Sequence, residues 1–119
     1  QIRVSFTGLE KDNEWGHAYY PGSSSRAGDI WIDHDRAGAP FTTGTYDYMA
    51  SMHEIGHALG LKHPFEDGAT LADAYDSYRY SIMSYDRTAD SHYVRIVPTS
   101  NGGLQTQAAY VYPTTPMLF

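Results

Sequence analysis

Cysteine is absent from the chain, so no disulfide can contribute to its stability in any compartment. No stretch approaches the roughly 18 apolar residues that a membrane-spanning helix needs, which excludes such a helix from this segment and sets a membrane partner aside. Positive charge is scarce, with 8 lysines and arginines against 14 aspartates and glutamates and a formal net charge of -6. A nucleic-acid-binding chain presents a clustered basic face, so nucleic acid is not expected as a partner. Internal repeats, heptads and domain-boundary signals are also missing. Residues 1–119 are therefore read as a single small unit, whose core buries a smaller share of its surface than that of a longer chain.

The pattern along the chain predicts an α+β layout. Ile2 to Phe6 alternates apolar and polar residues, as a strand with Ile2, Val4 and Phe6 inward would. Gly8 to Gly16 is polar and reads as a loop. His17 to Tyr20 is a short second strand, ended by Pro21, Gly22 and three serines. A third strand follows, from Ala27 to Asp33, with Ile30 and Ile32 on one face. After an irregular connection, Thr45 is the predicted N-cap of a helix from Tyr46 to about Leu59. Tyr46, Met49, Ala50, His53, His57 and Leu61 recur there at helical spacing. Beyond Pro64 the chain reads mostly as loop, with one helical turn near Ala72 to Tyr75.

The run from His53 to His63 carries the chemistry. On a helix, residues four apart share a face, so His53 and His57 can present imidazole nitrogens to one zinc ion at roughly 2.0–2.1 Å. Glu54 sits one position round, where it can reach a water on the metal without ligating it. His63 is ten residues from His53 and too far along the axis for a straight helix, at about 1.5 Å rise per residue. The chain must turn back, and Gly60 is the residue that can take the left-handed conformation required.

His53-Glu54-x-x-His57-x-x-Gly60-x-x-His63, followed by Ser81-Ile82-Met83-Ser84-Tyr85, resembles the signature of the metzincin metallopeptidases. In that clan Met83 would lie in the Met-turn, the hydrophobic floor beneath the zinc histidines. Pro64 after the third histidine resembles the serralysin choice. Tyr85, two residues after the methionine, is similar to a tyrosine that ligates zinc in resting serralysins and then stabilises the tetrahedral intermediate. Thr115 to Phe119 also resembles a serralysin segment. The resemblance implies a zincin-like α+β catalytic domain with a small twisted mixed sheet, an active-site helix and an irregular C-terminal subdomain. It implies one catalytic zinc and a protein or peptide substrate, and allows a protein inhibitor. Metzincin catalytic domains have a strand and a long helix before the segment like Ile2 to Phe6, and a further helix after the last segment here, so truncation at both ends is expected. Serralysins are secreted, which implies an extracellular location, although their glycine-rich calcium-binding repeats do not occur in this chain. The clan also implies that the third strand is a sheet edge on which Gly28, Asp29, Ile30 and Trp31 hold the substrate backbone.

Other features are left with plainer readings. His17 resembles a matrixin histidine that binds a second, structural zinc, but Trp31 stands where the partner histidine belongs, and such a site needs four ligands. Asp33, His34 and Asp35 offer oxygen ligands without forming a calcium motif. His92 reads as a surface residue. Eleven tyrosines leave open a protein- or carbohydrate-binding module with a structural metal, and a bacterial matrixin-like peptidase or an inactive remnant are further alternatives. Glu54 separates these classes, because a purely structural site has no need of a carboxylate beside an open coordination position. Oligomeric state has no signal in the sequence.

Overall fold

Thr45 is extended, and its Oγ1 accepts a hydrogen bond from the Tyr48 N–H at 3.2 Å, satisfying a donor that a first helical turn leaves open. The helix it caps, α1, spans Tyr46–Ala58. Gly60 ends it at φ +101°. The Gly60 N–H donates to the His57 carbonyl and the Leu61 N–H to the Gly56 carbonyl, both at 2.9 Å, which closes the helix end with a left-handed glycine. Cap, helix and reversal thus lie where the sequence predicts them. The computed structural model describes residues 1–9, 13–88 and 91–112; Thr115 to Phe119, likened to a serralysin segment, lies outside them.

Three strands form a mixed sheet: β1 (Arg3–Thr7), β2 (Gly16–Ala18) and β3 (Asp29–Asp33), in the order β1-β3-β2. Strand β1 pairs parallel with β3, with Val4 opposite Ile30, and β2 pairs antiparallel with it, with His17 opposite Trp31. Side chains Ile30 and Ile32 point from β3 onto α1 and form a core with Trp15, Ala50 and Ala58. Fully burying an aliphatic side chain of this size contributes on the order of 2 kcal/mol. The other flank of α1 packs Met49 against Ile82 and Met83, in a second cluster. Helix α1 is therefore clamped between the sheet and the turn at Ser81–Ser84. The Trp15 indole N–H adds a polar tie to its first turn, donating to Asp47 Oδ1 at 2.7 Å.

Three expectations are corrected. Ile2, Val4 and Phe6 are not inward: they are 44%, 55% and 41% exposed. Alternation reveals that a strand has an apolar face but not whether another element covers it, and α1 lies over β2 and β3 instead. Second, β3 is not a sheet edge. It lies between β1 and β2, so the edge nearer α1 is β2. Third, the loop expected beyond Pro64 holds for most of the described residues there but is interrupted, because β4 (His92–Pro98) and β5 (Leu104–Tyr110) form a seven-pair antiparallel hairpin. The Asn101-Gly102 pair in its turn, with Gly102 at φ +82°, is the hairpin signal that the reading passed over. Asp73–Tyr75 forms a 3-10 turn, in agreement with the predicted helical turn, and His34–Arg36 forms another.

Candidate metal centre

Helical spacing puts His53 and His57 one turn apart on the buried flank of α1, and the Gly60 reversal returns His63 to them. Nε2 of His63 lies 3.2 Å from Nε2 of His53 and 3.1 Å from Nε2 of His57. Among the described residues these three form the one cluster of potential metal ligands, with their ligand atoms within 4.8 Å of each other. Ligands about 2.0–2.1 Å from a tetrahedral zinc stand roughly 3.3 Å apart, so the spacing suits that ion.

The outer nitrogens fix the tautomers. Nδ1 of His53 meets the Ile82 carbonyl at 2.9 Å, and Nδ1 of His57 meets the Leu61 carbonyl at 2.8 Å. A carbonyl oxygen can only accept, so each Nδ1 carries the proton and each Nε2 presents a bare lone pair. Nδ1 of His63 likewise faces a carboxylate oxygen, Glu66 Oε1, at 2.7 Å. In the neutral rings three lone pairs therefore converge where no donor of their own separates them, an arrangement relieved by a cation. Burial pushes the His53 imidazole down to about 4 and lowers that of His57, which keeps both in the neutral, ligating form at ordinary pH.

Glu54 follows His53 and is almost fully buried, and its Oε2 has no hydrogen-bond partner among the described residues. Burial first, and then the charge of Glu14, raise its carboxyl to about 7. A buried carboxylate with a raised pKa and an unpartnered oxygen is a candidate for proton transfer. It lines a cavity of about 280 Å³ together with His53, Trp15, Tyr78 and Tyr85. The Tyr85 ring stacks on His53, with centroids 5.5 Å apart, and stands 4.6 Å from His63. Its phenol is shifted up, by burial and then by Glu54. Met83 is buried below α1, so close that a Cβ on Gly56 would collide with its sulfur. The turn that holds Met83 closes through a hydrogen bond from the Ser84 N–H to the Ser81 carbonyl at 3.2 Å.

The structure thus brings together His53, His57 and His63, with Tyr85 against two of their rings and Glu54 beside His53 in the cavity, while Met83 lies beneath α1 at Gly56. Gly28 to Trp31 do not offer a free backbone there. The Gly28 N–H donates to the Tyr19 carbonyl, the Asp29 carbonyl accepts from Tyr19, and the Asp29 carboxylate binds Arg3 at 2.6 and 2.9 Å. Residues that the sequence reading missed are Glu66, Phe65 stacked on His63 at 5.0 Å, and Tyr20 edge-on to His57 at 5.4 Å. Of these only Glu66 had a usable signal, a carboxylate three residues after a ligand. His17 pairs with Trp31 across β2 and β3, which leaves its ring without a second histidine on that rung, and its Nδ1 lies 3.6 Å from Glu14.

Comparison with known proteins agrees with this geometry. The family model described as matrixin, peptidase family M10, matches residues 4–93. Serralysin C of Dickeya chrysanthemi is 42% identical over 79 residues, which cover 58% of this chain and 16% of that protein. Stromelysin-1 of Rattus norvegicus is 30% identical over 104 residues, covering 76% of this chain and 22% of that protein. Stromelysin-3 of the same species is 33% identical over 89 residues, covering 71% and 18%. The chain thus spans less than a quarter of the length of these relatives.

Proposed function

Because the chain belongs to the matrixin family of M10 peptidases, we propose that it forms the catalytic centre of a zinc-dependent endopeptidase that hydrolyses peptide bonds in proteins. The observation that carries this reading is the convergence of three bare Nε2 atoms beside a buried carboxylate with an unpartnered oxygen. His53, His57 and His63 would hold the ion. Bound zinc supplies a Lewis acid that acidifies water and polarises the scissile carbonyl. Glu54 accepts a proton from the attacking water and returns it to the leaving amine. Tyr85 keeps its phenolic proton at neutral pH and donates a hydrogen bond to the carbonyl oxygen as negative charge develops there. Met83 packs beneath α1 as the Met-turn residue and takes no part in proton transfer.

Substrate backbone is better served by β2 than by Gly28 to Trp31, since β2 is the sheet edge on the side of α1. An extended peptide adding there would run antiparallel or parallel to Gly16–Ala18, close to the cavity that Glu54 lines. An extracellular location goes with the same reading. Zinc content and quenched-peptide hydrolysis, determined on one purified sample with a chelator control, test it. About one zinc per chain with chelator-sensitive cleavage is expected; zinc without cleavage overturns the peptidase reading.

A further inference from the structure

The three ligands differ in how they are held. His53 and His57 are part of α1, and each Nδ1 donates to a backbone carbonyl. His63 belongs to the returning segment, outside any helix or strand, and is supported by a side chain. Glu66 Oε1 accepts a hydrogen bond from Nδ1 at 2.7 Å, while Oε2 of the same carboxylate accepts from the His63 backbone N–H at 3.2 Å. One carboxylate therefore grips both the ring and the main chain of a single ligand. The Lys62 ammonium donates to the Glu66 carbonyl at 2.6 Å, and the Glu66 N–H reaches the His63 carbonyl at 3.3 Å, so the turn that presents the carboxylate is itself closed.

We propose that Glu66 is a positioning residue for the metal: it sets the tautomer and the direction of the His63 ring, and thereby the affinity of the centre for zinc. The inference rests on the zinc-site reading above and deepens it. A carboxylate behind a ligating imidazole raises the basicity of the ligand and restricts its rotation, and losing such a partner typically weakens metal binding about 10–100-fold. The effect falls on His63 more than it would on the other two, whose rings are carried by α1 and donate to backbone carbonyls, whereas the His63 ring otherwise meets the rings of His53, His57, Phe65 and Tyr85. Glu66 is only half-buried, and the Glu66→Ala variant leaves both apolar clusters intact.

The test is zinc affinity, measured by competition with a chelating dye, for the purified protein and for Glu66→Ala, Glu66→Gln and Asp67→Ala. Glu66→Ala is expected to bind zinc about 10–100-fold more weakly, with an unchanged melting temperature of the zinc-free form. Glu66→Gln, which keeps an acceptor oxygen but not the charge, is expected to fall between. Asp67→Ala removes a neighbouring exposed carboxylate and should leave affinity within about twofold, as the loss of one screened surface charge does. Cobalt substitution adds a second readout: the visible absorption of the bound cobalt is expected to change in Glu66→Ala and not in Asp67→Ala. Parental affinity in Glu66→Ala, or an equal loss in Asp67→Ala, overturns the positioning role alone. A parent protein that binds no zinc overturns the metal-centre reading itself, whereas a parent that binds zinc without cleaving peptides leaves this comparison decisive.

Discussion

Replacing Glu54 by glutamine removes the buried carboxylate but leaves the nitrogens of His53, His57 and His63 in place. Zinc content should therefore be retained while kcat/KM falls by on the order of 10²–10⁴, the usual contribution of a positioned general base. Metal analysis and hydrolysis on the same preparation check both halves, and substantial activity in the variant would sink the role given to Glu54. The converse holds for His57→Ala, which should lose the metal and the activity together. Tyr85→Phe keeps the ring against His53 and removes only the hydroxyl; kcat should drop by roughly 10² with little change in KM, as when one oxyanion donor is lost. His57 and Glu54 were legible from spacing, because the i, i+4 geometry of a helix and the reach of a glycine turn are local properties, whereas Tyr85 entered only through the resemblance to serralysins. Glu66 carried a weaker signal, its spacing from His63, since whether a carboxylate three residues on turns toward the ring depends on the closed turn around Pro64.

Between elements, α1 approaches the turn at Ser81–Ser84 closely. Gly56 lies directly against the Met83 sulfur, so Gly56→Ala must displace a side chain that is 1% exposed. Overpacking of this kind costs about 1–3 kcal/mol, and urea unfolding of the variant should show it as a lowered midpoint at constant slope. A midpoint equal to the parent's would mean that Met83 can swing away and is no fixed floor. Helix α1 was readable to within a residue because its N-cap, its periodicity and its terminal glycine are encoded in adjacent positions. The place of β3 in the sheet was not readable. Strand order depends on which distant segments pair, and alternation in Ile2 to Phe6 is the same whether or not a helix covers it. In the hairpin of β4 and β5, Arg95, Gln105 and Gln107 interrupt the apolar pattern, and the pairing is stated locally only by Asn101-Gly102.

At the scale of the molecule, stability should depend on alkali and on metal rather than on redox conditions. Burial pushes the Tyr78 phenol up to about 12 and shifts Tyr46 and Tyr85 in the same direction. Tyrosines of an unfolded chain titrate near 10. Above about pH 10 ionisation therefore favours the unfolded chain, and the stability held by the neutral Tyr78 is present below that pH and lost as pH rises toward 12. Melting temperatures should fall across that interval, and less steeply in Tyr78→Phe; identical slopes would remove Tyr78 as the cause. Chelation should lower the melting temperature by on the order of 10 °C, because a ligand at about a thousand times its Kd stabilises by about 4 kcal/mol. A reductant should change nothing in a chain without cysteine.

The unequal mounting of the three histidines would also set an order of events in time for a bound ion. Two of them are neighbours on one helix, so a chelating pair would exist as soon as α1 has wound, and the third donor would swing in afterwards. If these residues hold an ion, its departure would run the same path backwards, with His63 the first donor to leave and the turn from Leu61 to Glu66, rather than the helix, the part that would have to open.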